Sequence, residues 1–207
     1  GVKVGLLDAD FSASNTAFFL NTGGQHMELS REEFHPINYN GIELFSIPLI
    51  LGDRSVSMTG DQYSQLLRDA VEASLWKAEY IIVDCPPGFG DELKTAAAVF
   101  SESLLGSVIV IQPAHVLDGI RTLQLHKDLE LPILGLIENM SYFKSGAVTY
   151  KIFGESMVDK LAEEYSVPVF GKIPLSMEIR AQIEKKDPKL KDDFAVPIEN
   201  AVKAILE

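Results

Sequence analysis

Short apolar runs alternate along this chain with longer segments in which apolar residues recur at helical spacing. The short runs predict strands at Val2–Leu7, Ile42–Ile47, Tyr80–Val83, Ser107–Ile111, Pro132–Ile137 and Val167–Phe170. The longer segments predict helices at Asn15–Leu20, Thr59–Leu75, Glu92–Phe100, Leu117–Leu129, Ser156–Tyr165, Met177–Lys185 and Ile198–Leu206. The Thr59-x-x-Gln62 spacing resembles a capping box, which marks where its helix begins.

The predicted strands are apolar on both faces and lack the alternation of a sheet with one solvated face. Strands of this kind, separated by helices, favour an α/β fold, a mostly parallel sheet flanked by helices on both faces. Ligands of such sheets bind beyond the carboxyl ends of the strands. The residues that follow each strand are therefore the candidates for chemistry.

Length and charge narrow the class of protein. A chain of 207 residues with 46% hydrophobic residues fits one large domain or two small ones. No segment has the composition of a linker, so we expect residues 1–207 to form a single domain. The formal net charge of −12 repels phosphate backbones and anionic lipid, so neither nucleic acid nor a membrane is expected as a partner.

Cysteine usage indicates the compartment. Cys85 is the single cysteine, which excludes an internal disulfide and a CxxC metal or cluster site within these residues. A chain without disulfides fits a reducing environment, so we expect the protein to be cytoplasmic.

Aspartates follow two of the predicted strands. Asp8 and Asp10 come after the first strand, and Asp84 directly follows Tyr80–Val83. An apolar strand that ends in an acid is the Walker B arrangement, in which the acid holds Mg²⁺ or its water. An Asp that caps the next helix accounts for Asp84 equally well when it is taken alone, and an acid after a strand also suits the ribose contact of a dinucleotide-binding fold.

Four segments together identify a family resemblance. These are Asp8-Ala9-Asp10, the DCPPGFGD sequence at 84–91, the ENMSYF sequence at 138–143 and the GKIPL sequence at 171–175. In this order and spacing the chain resembles the Mrp branch of the MinD/ParA P-loop ATPases, from residue 1 to about residue 180. The second and third segments are the specific ones, since an Asp-x-Asp alone is common.

The resemblance implies roles for the three aspartates. Asp10 corresponds to the catalytic aspartate that orients the attacking water. Asp8 and Asp84 correspond to the acids near Mg²⁺, with Asp84 as the Walker B residue. The expected cofactors are therefore ATP and Mg²⁺.

The resemblance also implies three nucleotide contacts. Gly88 corresponds to the glycine near the γ-phosphate, and Asn139 to the residue that hydrogen-bonds the adenine edge. Pro174 lies in the segment that runs beside the base. Taken without the flanking motifs, Asn139 is better interpreted as a turn residue at the end of a strand.

One departure from the family pattern concerns the P-loop. The pattern GxxxxGK[ST] is absent, because the only Gly-Lys step, Gly171-Lys172, is followed by Ile173. In the family the P-loop follows a first strand, and the present chain opens almost directly into the strand that comes next. We therefore expect an N-terminally incomplete domain, which lacks its first strand, P-loop and first helix.

A second departure concerns iron–sulfur chemistry. Many Mrp-type proteins carry a CxxC shortly after the ENMSYF segment, and two chains share a bridging cluster there. The corresponding residues here, Lys144–Tyr150, contain no cysteine. Cluster ligation needs thiolates, so the sequence does not predict an iron–sulfur cluster held in the family's usual way.

We interpret the chain as part of a Mg²⁺-dependent, ATP-hydrolysing homodimer switch whose partner is an iron–sulfur client or assembly protein. A MinD-like or ParA-like positioning ATPase is an alternative. The net charge and the acidic character of Ile198–Glu207 weigh against its membrane and DNA versions. A non-enzymatic scaffold without a P-loop, a dinucleotide dehydrogenase and a phosphoacceptor receiver domain are further alternatives.

Overall fold

The computed structural model describes residues 1–11, 14–22, 24–29, 33–52, 57–86, 91–177 and 192–206. The chain divides into two compact units, which we call unit 1 (Gly1–Ser101) and unit 2 (Glu102–Glu207). Among the residues described, none of the helices combines the length and the apolar character that crossing a bilayer requires.

Unit 1 contains a four-stranded sheet in the order β4-β5-β1-β6. Its strands are β1 (Val4–Asp8), β4 (Ile37–Tyr39), β5 (Ile42–Phe45) and β6 (Tyr80–Asp84). The strand β1 runs parallel to both β5 and β6, whereas β4 is antiparallel to β5. The predicted parallel pairing is thus confirmed for the centre of this sheet. Two further strands, β2 (Glu28–Leu29) and β3 (Phe34–His35), form a separate antiparallel pair.

In the part of unit 1 that the structure describes, the helices are α1 (Thr16–Leu20), α2 (Pro48–Leu51), α3 (Gly60–Glu72) and α4 (Asp91–Phe100). The predicted capping box of α3 is confirmed, since Gln62 N donates to Thr59 Oγ1 (3.4 Å) and Thr59 N donates to Gln62 Oε1 (2.9 Å). The helix ends at Glu72, before the predicted Leu75. The reason is a long-range bond, because Leu75 N donates to the carbonyl of Phe34 (3.0 Å) and draws this segment out of the helix.

Unit 2 contains a parallel three-stranded sheet in the order β11-β8-β7. Its strands are β7 (Ser107–Ile111), β8 (Ile133–Glu138) and β11 (Val169–Lys172). The helices among the described residues of this unit are α5 (Val116–Asp128), α6 (Val158–Tyr165) and α7 (Asp192–Leu206), with a 3-10 turn at Pro113–His115. Residues of the sheet, α5 and α6 form one apolar cluster that includes Ile109, Leu123, Leu136 and Val158.

The last helix differs from the predicted Ile198–Leu206. It begins at Asp192 and continues through Pro197, which has no backbone N–H to donate and so usually ends a helix. Tight packing compensates, because a Cβ at Gly171 would lie 2.5 Å from Cγ of Pro197. Asn200 Nδ2 also donates to the carbonyl of Phe170 (2.8 Å). For the predicted helix Met177–Lys185, all residues after Met177 lie outside the described ranges.

A hairpin of β9 (Phe143–Ser145) and β10 (Val148–Tyr150) was not predicted from the sequence. All three residues of β10 are exposed, so no apolar and polar alternation marks the strand. The hairpin occupies the stretch where the family resemblance places a CxxC.

Candidate functional site

Asp8 is the last residue of β1, and its side chain is almost completely buried (1% exposed). Its Oδ2 atom accepts hydrogen bonds from the Ser46 hydroxyl (3.1 Å), the Thr16 backbone N–H (3.2 Å) and the Ser14 hydroxyl. The other oxygen, Oδ1, is also buried but has no hydrogen-bond partner among the described residues. An unpaired buried acceptor of this kind costs about 1–3 kcal/mol, which a bound cation or its water would offset.

Asp84 ends the neighbouring strand β6 and is in register with Asp8. The hydroxyl of Thr16 donates to Asp84 Oδ2 (3.5 Å), so one threonine contacts both carboxylates. Desolvation raises the pKa of the Asp84 carboxyl, and the negative charges of Asp8 and Asp10 raise this pKa further, against the opposing hydrogen bond from Thr16. The surroundings of Asp84 therefore disfavour the negatively charged form of its carboxyl group.

Asp10 follows Asp8 by two residues and is half-buried. The backbone between them is fixed, because the Tyr63 hydroxyl donates to the carbonyl of Ala9 (3.1 Å) and Ala9 N donates to the carbonyl of Asp84 (2.9 Å). The electrostatic effect of Asp10 on Asp84 shows that the third predicted aspartate lies near the pair. Unit 1 thus brings Asp8, Asp10 and Asp84 together at one edge of its sheet.

This arrangement fits Mg²⁺ bound jointly with a phosphate ligand. In the described part of the chain, no group of three or more His, Cys, Asp or Glu side chains could hold a metal ion by itself. Mg²⁺ does not need such a cage, since it binds one or two carboxylates and completes its octahedron with water and phosphate oxygens. The unpaired oxygen of Asp8 and the carboxylate of Asp84, whose negative charge is disfavoured by its surroundings, are the groups suited to binding Mg²⁺.

Cys85 and Gly88 belong to the sequence motif that follows β6. Gly88 lies outside the described ranges. Cys85 follows Asp84, and its thiol has a pKa raised to about 11, first by desolvation and then by the charge of Asp84. A thiol with a raised pKa is a weaker nucleophile at neutral pH than an ordinary cysteine.

In unit 2, Asn139 directly follows β8 in a tight turn. Asn139 N donates to the carbonyl of Ile111 in β7 (2.8 Å), and its Oδ1 accepts from Met140 N (2.9 Å). Met140 has a φ of 55°, in the left-handed region. The side-chain carbonyl of Asn139 is thereby directed to the backbone. Its side-chain NH₂ group is the one suited to donating a hydrogen bond to a ligand.

Pro174 belongs to the same edge of the unit 2 sheet. The preceding residue, Ile173, donates its N–H to the carbonyl of Glu138 (2.8 Å) and accepts from Ser141 N (2.9 Å). Asn139 and Pro174 are therefore brought to one edge of this sheet. The ring of Pro174 is buried, so a base would meet the backbone here rather than the proline face.

Sequence reasoning did not assign roles to the residues that hold the carboxylates. The hydroxyls of Ser14, Thr16 and Ser46 contact Asp8 or Asp84, and Ser46 is 38 residues from Asp8. The available signal was Ser46 itself, a polar residue between Phe45 and Ile47 at the end of an apolar strand. In unit 2, the buried carboxylate of Glu138 similarly accepts from the Ser141 hydroxyl and closes the Asn139 turn.

Comparison with protein families gives a match over the whole chain. A ParA family model, described as NUBPL iron-transfer P-loop NTPase, matches residues 1–207. The chain is 31% identical over 206 residues to an iron-sulfur cluster carrier protein of Pseudomonas fragi, covering 96% of the chain and 71% of that protein. It is 32% identical over 198 residues to an iron-sulfur cluster carrier protein of Deinococcus radiodurans, covering 92% of the chain and 55% of that protein. The chain thus spans only about half the length of some of these relatives.

Solved structures confirm the fold. A nucleotide-binding protein of Archaeoglobus fulgidus in complex with ADP has a TM-score of 0.73 at 24% identity, covering 90% of this chain and 74% of that one. The MinD cell division protein of Aquifex aeolicus has a TM-score of 0.67 at 18% identity, covering 100% and 85%. The predicted α/β fold of the MinD/ParA P-loop NTPase type, with mostly parallel sheets flanked by helices, is confirmed.

Proposed function

Because the chain belongs to the ParA family of NUBPL-type iron-transfer P-loop NTPases, we propose that the intact protein binds ATP with Mg²⁺ and hydrolyses it at the carboxylate edge of unit 1. The observation that supports this most directly concerns Asp8. Its buried Oδ1 has no hydrogen-bond partner among the described residues, and Asp8 is in register with Asp84. In the bound state Mg²⁺ would neutralise phosphate charge in the transition state.

Different residues of this chain have different roles in the proposed reaction. Asp8 and Asp84 hold the hydrated cation, and the hydroxyls of Ser46 and Thr16 keep the two carboxylates oriented. Asp10 orients the attacking water, and the Tyr63 bond to the Ala9 carbonyl fixes the position of its backbone. Asn139 contacts the base, and Gly88 contacts the terminal phosphate.

We further propose that the protein works as a homodimer whose two states differ in the bound nucleotide, in the cytoplasm, and that it serves iron–sulfur protein assembly. The names of its relatives support the pathway. The 207 residues themselves contain one cysteine, so they do not supply the set of thiolates that a cluster needs. The iron–sulfur protein is accordingly a partner, and cluster ligands come from elsewhere in the assembly.

Equilibrium dialysis of the intact protein with labelled ATP tests the nucleotide proposal. ATP binding is expected in Mg²⁺ and is expected to weaken at least tenfold in EDTA. Asp84→Ala should abolish the difference between the two conditions. Asp128→Ala is the matched control, because Asp128 is an exposed aspartate in unit 2 and its loss changes the net charge equally. Binding of labelled NAD in place of ATP, or ATP binding indifferent to Mg²⁺, would overturn the proposal.

A second measurement addresses the cluster. Iron and acid-labile sulfide are determined in the anaerobically reconstituted intact protein and in its Cys85→Ser variant. We expect that the variant retains whatever iron and sulfide the wild type binds. A stoichiometric cluster that disappears with Cys85→Ser would show that this thiol is a ligand and that the present assignment is wrong.

A further inference from the structure

We propose that Asn40 is a site of spontaneous covalent modification in the folded protein, at which the side-chain amide is lost and part of the product is isoaspartate. The site is the turn between β4 and β5 in unit 1. This modification is independent of the nucleotide chemistry proposed above. Three features of the turn support it, namely the residue that follows Asn40, the exposure of the turn and the bond that holds the Gly41 nitrogen.

Asn40 and Gly41 form the two-residue turn of a β-hairpin, because the flanking residues Tyr39 and Ile42 are paired across the antiparallel strands. Both turn residues have positive φ angles, 50° for Asn40 and 89° for Gly41. Positive φ at both central positions is a property of the type I′ turn, for which Asn-Gly is a preferred sequence. The hairpin therefore favours a dipeptide in which asparagine is followed by a residue without a side chain.

Asparagine is a chemically labile residue, and the reaction here is an attack within the chain. The Gly41 nitrogen loses its proton to water or hydroxide and bonds to Cγ of Asn40. The bond from Cγ to Nδ2 breaks, ammonia leaves with a proton taken from water, and a five-membered succinimide ring remains. Water then opens the ring. Addition at Cγ gives aspartate at position 40, whereas addition at the main-chain carbonyl carbon gives isoaspartate, in which the backbone runs through Cγ.

Little covers the attacking nitrogen. Asn40 and Gly41 are both exposed. A Cβ placed on Gly41 would have no atom of the described structure within 4 Å, apart from its chain neighbours. Among the asparagines of the chain, Asn40 alone is followed by glycine. At every other asparagine the side chain of the next residue crowds the nitrogen that would attack.

The Gly41 N–H is bonded to a side chain instead of to the neighbouring strand. It donates to Asn38 Oδ1 (3.1 Å), and Asn38 is itself exposed. Rotation of this one side chain therefore releases the nitrogen without separating β4 from β5. The same bond favours the protonated nitrogen over the deprotonated form that attacks. Asn38 thus slows the reaction for as long as its side chain stays in place.

The position of β4 limits the consequences for the fold. Among the described strands, β4 is at the edge of its sheet and pairs only with β5. The length of the turn fixes the register of a hairpin, and isoaspartate adds one backbone atom to the turn. The isoaspartate form should therefore lose the pairing of Tyr39 with Ile42. Asp8 lies at the opposite end of β1 from this turn, so the carboxylate site should persist.

The Asp118-Gly119 step provides an internal comparison. An aspartate followed by glycine forms the same ring with loss of water. Asp118, however, lies in the first turn of α5, and Gly119 is buried. A Cβ on Gly119 would lie 2.9 Å from the side chain of Ile111, so the surrounding atoms leave little room for the backbone to rearrange. We expect isoaspartate to form at position 40 and not at position 118.

Peptide mapping by mass spectrometry measures the reaction in the intact protein, kept folded in mildly alkaline buffer. Carboxyl methylation with labelled S-adenosylmethionine by an isoaspartyl methyltransferase measures the isoaspartate. Deamidation at Asn40 should be at least tenfold faster than at Asn21 or Asn200. The rate in the folded protein should lie within tenfold of the rate in denaturant. A folded protein that stays unmodified at Asn40 while the unfolded chain reacts would overturn the proposal.

Two substitutions of Asn38 test the part assigned to its side chain. Asn38→Ala removes the acceptor and should raise the deamidation rate at Asn40 at least threefold. Asn38→Asp keeps an acceptor and adds a negative charge that opposes deprotonation of the Gly41 nitrogen, so the rate should fall below that of the wild type. Gln25→Ala removes another exposed side-chain amide of unit 1 and should leave the rate unchanged. Equal rates in both Asn38 variants and the wild type would reject this role of Asn38.

Hydrogen exchange and ATP dialysis of the aged protein complete the test. Exchange at the amides of Ile37 and Tyr39 should be faster in the isoaspartate form, whereas ATP binding should match that of fresh protein. Unchanged exchange at both amides would contradict the predicted loss of strand pairing. If Asn40 is modified in a protein that never binds ATP, the modification site is supported and the nucleotide proposal is wrong.

Discussion

Asp8 and Asp84 stand directly opposite each other at the ends of two neighbouring parallel strands, β1 and β6. Strands in a sheet lie about 4.8 Å apart, so the two carboxyl groups are close enough to repel each other. Thr16 offsets part of this repulsion by donating its N–H to one carboxylate and its hydroxyl to the other. The fold thus keeps two like charges adjacent. This arrangement suits a site at which a cation is bound by the two carboxylates and by a ligand.

Asp84→Asn should stabilise the protein in the absence of Mg²⁺. The folded-state pKa of Asp84 is raised, so its contribution to stability is present at acidic pH and is lost as the pH rises through that pKa. Like charges opposite each other on adjacent strands cost about 0.2–1 kcal/mol, and solvent screening keeps the gain within that range. We expect a melting temperature about 1–3 °C higher at pH 7, measured by calorimetry in EDTA.

The gain should shrink to nothing as the pH falls well below the unfolded-state pKa of about 3.9, because the Asp84 carboxyl is then protonated in both the folded and the unfolded state. Asp128→Asn, at an exposed position, should show no comparable gain at either pH. A lower melting temperature for Asp84→Asn at pH 7 would mean that its charge is stabilising and that the repulsion is wrongly assigned.

Asp10→Ala should separate binding from turnover. Asp10 is half-buried beside the carboxylate pair and is assigned to the attacking water rather than to the cation. Positioned acid–base groups contribute about 10²–10⁴-fold to rate, so single-turnover hydrolysis should fall by that factor. ATP affinity, measured by dialysis in Mg²⁺, should stay within about threefold of the wild type. Equal turnover in the variant and the wild type would remove the role given to Asp10.

Cys85 should react slowly with iodoacetamide. Its pKa is raised to about 11, so at pH 7.5 the thiolate fraction, and with it the labelling rate, should be about two orders of magnitude below that of a free cysteine. The rate should still be rising at pH 10, because the thiolate fraction increases until the pH passes the pKa. Asp84→Asn should increase the rate, because the charge of Asp84 is the second cause of the shift. Rapid labelling at neutral pH would show an activated thiol.

Local sequence signals located the strand ends and their acids. Asp8 and Asp84 each follow an apolar run, and the Thr59 capping box placed the start of α3 to the residue. These features depend on neighbours a few positions away, which is why a single sequence reveals them. The role of Asp10, Gly88, Asn139 and Pro174 came from family resemblance and stays a prediction.

Long-range contacts account for what the sequence did not reveal. Ser46 holds Asp8 across 38 residues, and Pro197 continues a helix because it packs on Gly171. The β10 strand has no buried face, so its residues carry no periodic signal. For Ser46 and Pro197 the deciding partner is distant in sequence, whereas β10 pairs with the nearby β9 and lacks a pattern only because none of its residues is buried.

His126 should make unit 2 sensitive to acid. The ring is 2% exposed, its Nδ1 is 2.8 Å from the carbonyl of Thr122, and its buried Nε2 has no hydrogen-bond partner among the described residues. Desolvation lowers the pKa of this histidine, against the opposing bond to Thr122. The neutral ring is therefore the folded form, and its contribution to stability is fully present above the unfolded pKa of about 6.5.

That contribution should be lost as the pH falls from about 6.5 towards the folded-state pKa, with a slope of at most one proton, about 1.4 kcal/mol per pH unit. Denaturant unfolding between pH 8 and pH 5 measures the slope. His126→Leu keeps the ring's approximate volume and should flatten the profile, even where its stability at pH 8 is lower. His26→Gln, at an exposed position, should leave the slope unchanged. An undiminished slope in His126→Leu would assign the acid sensitivity to another group.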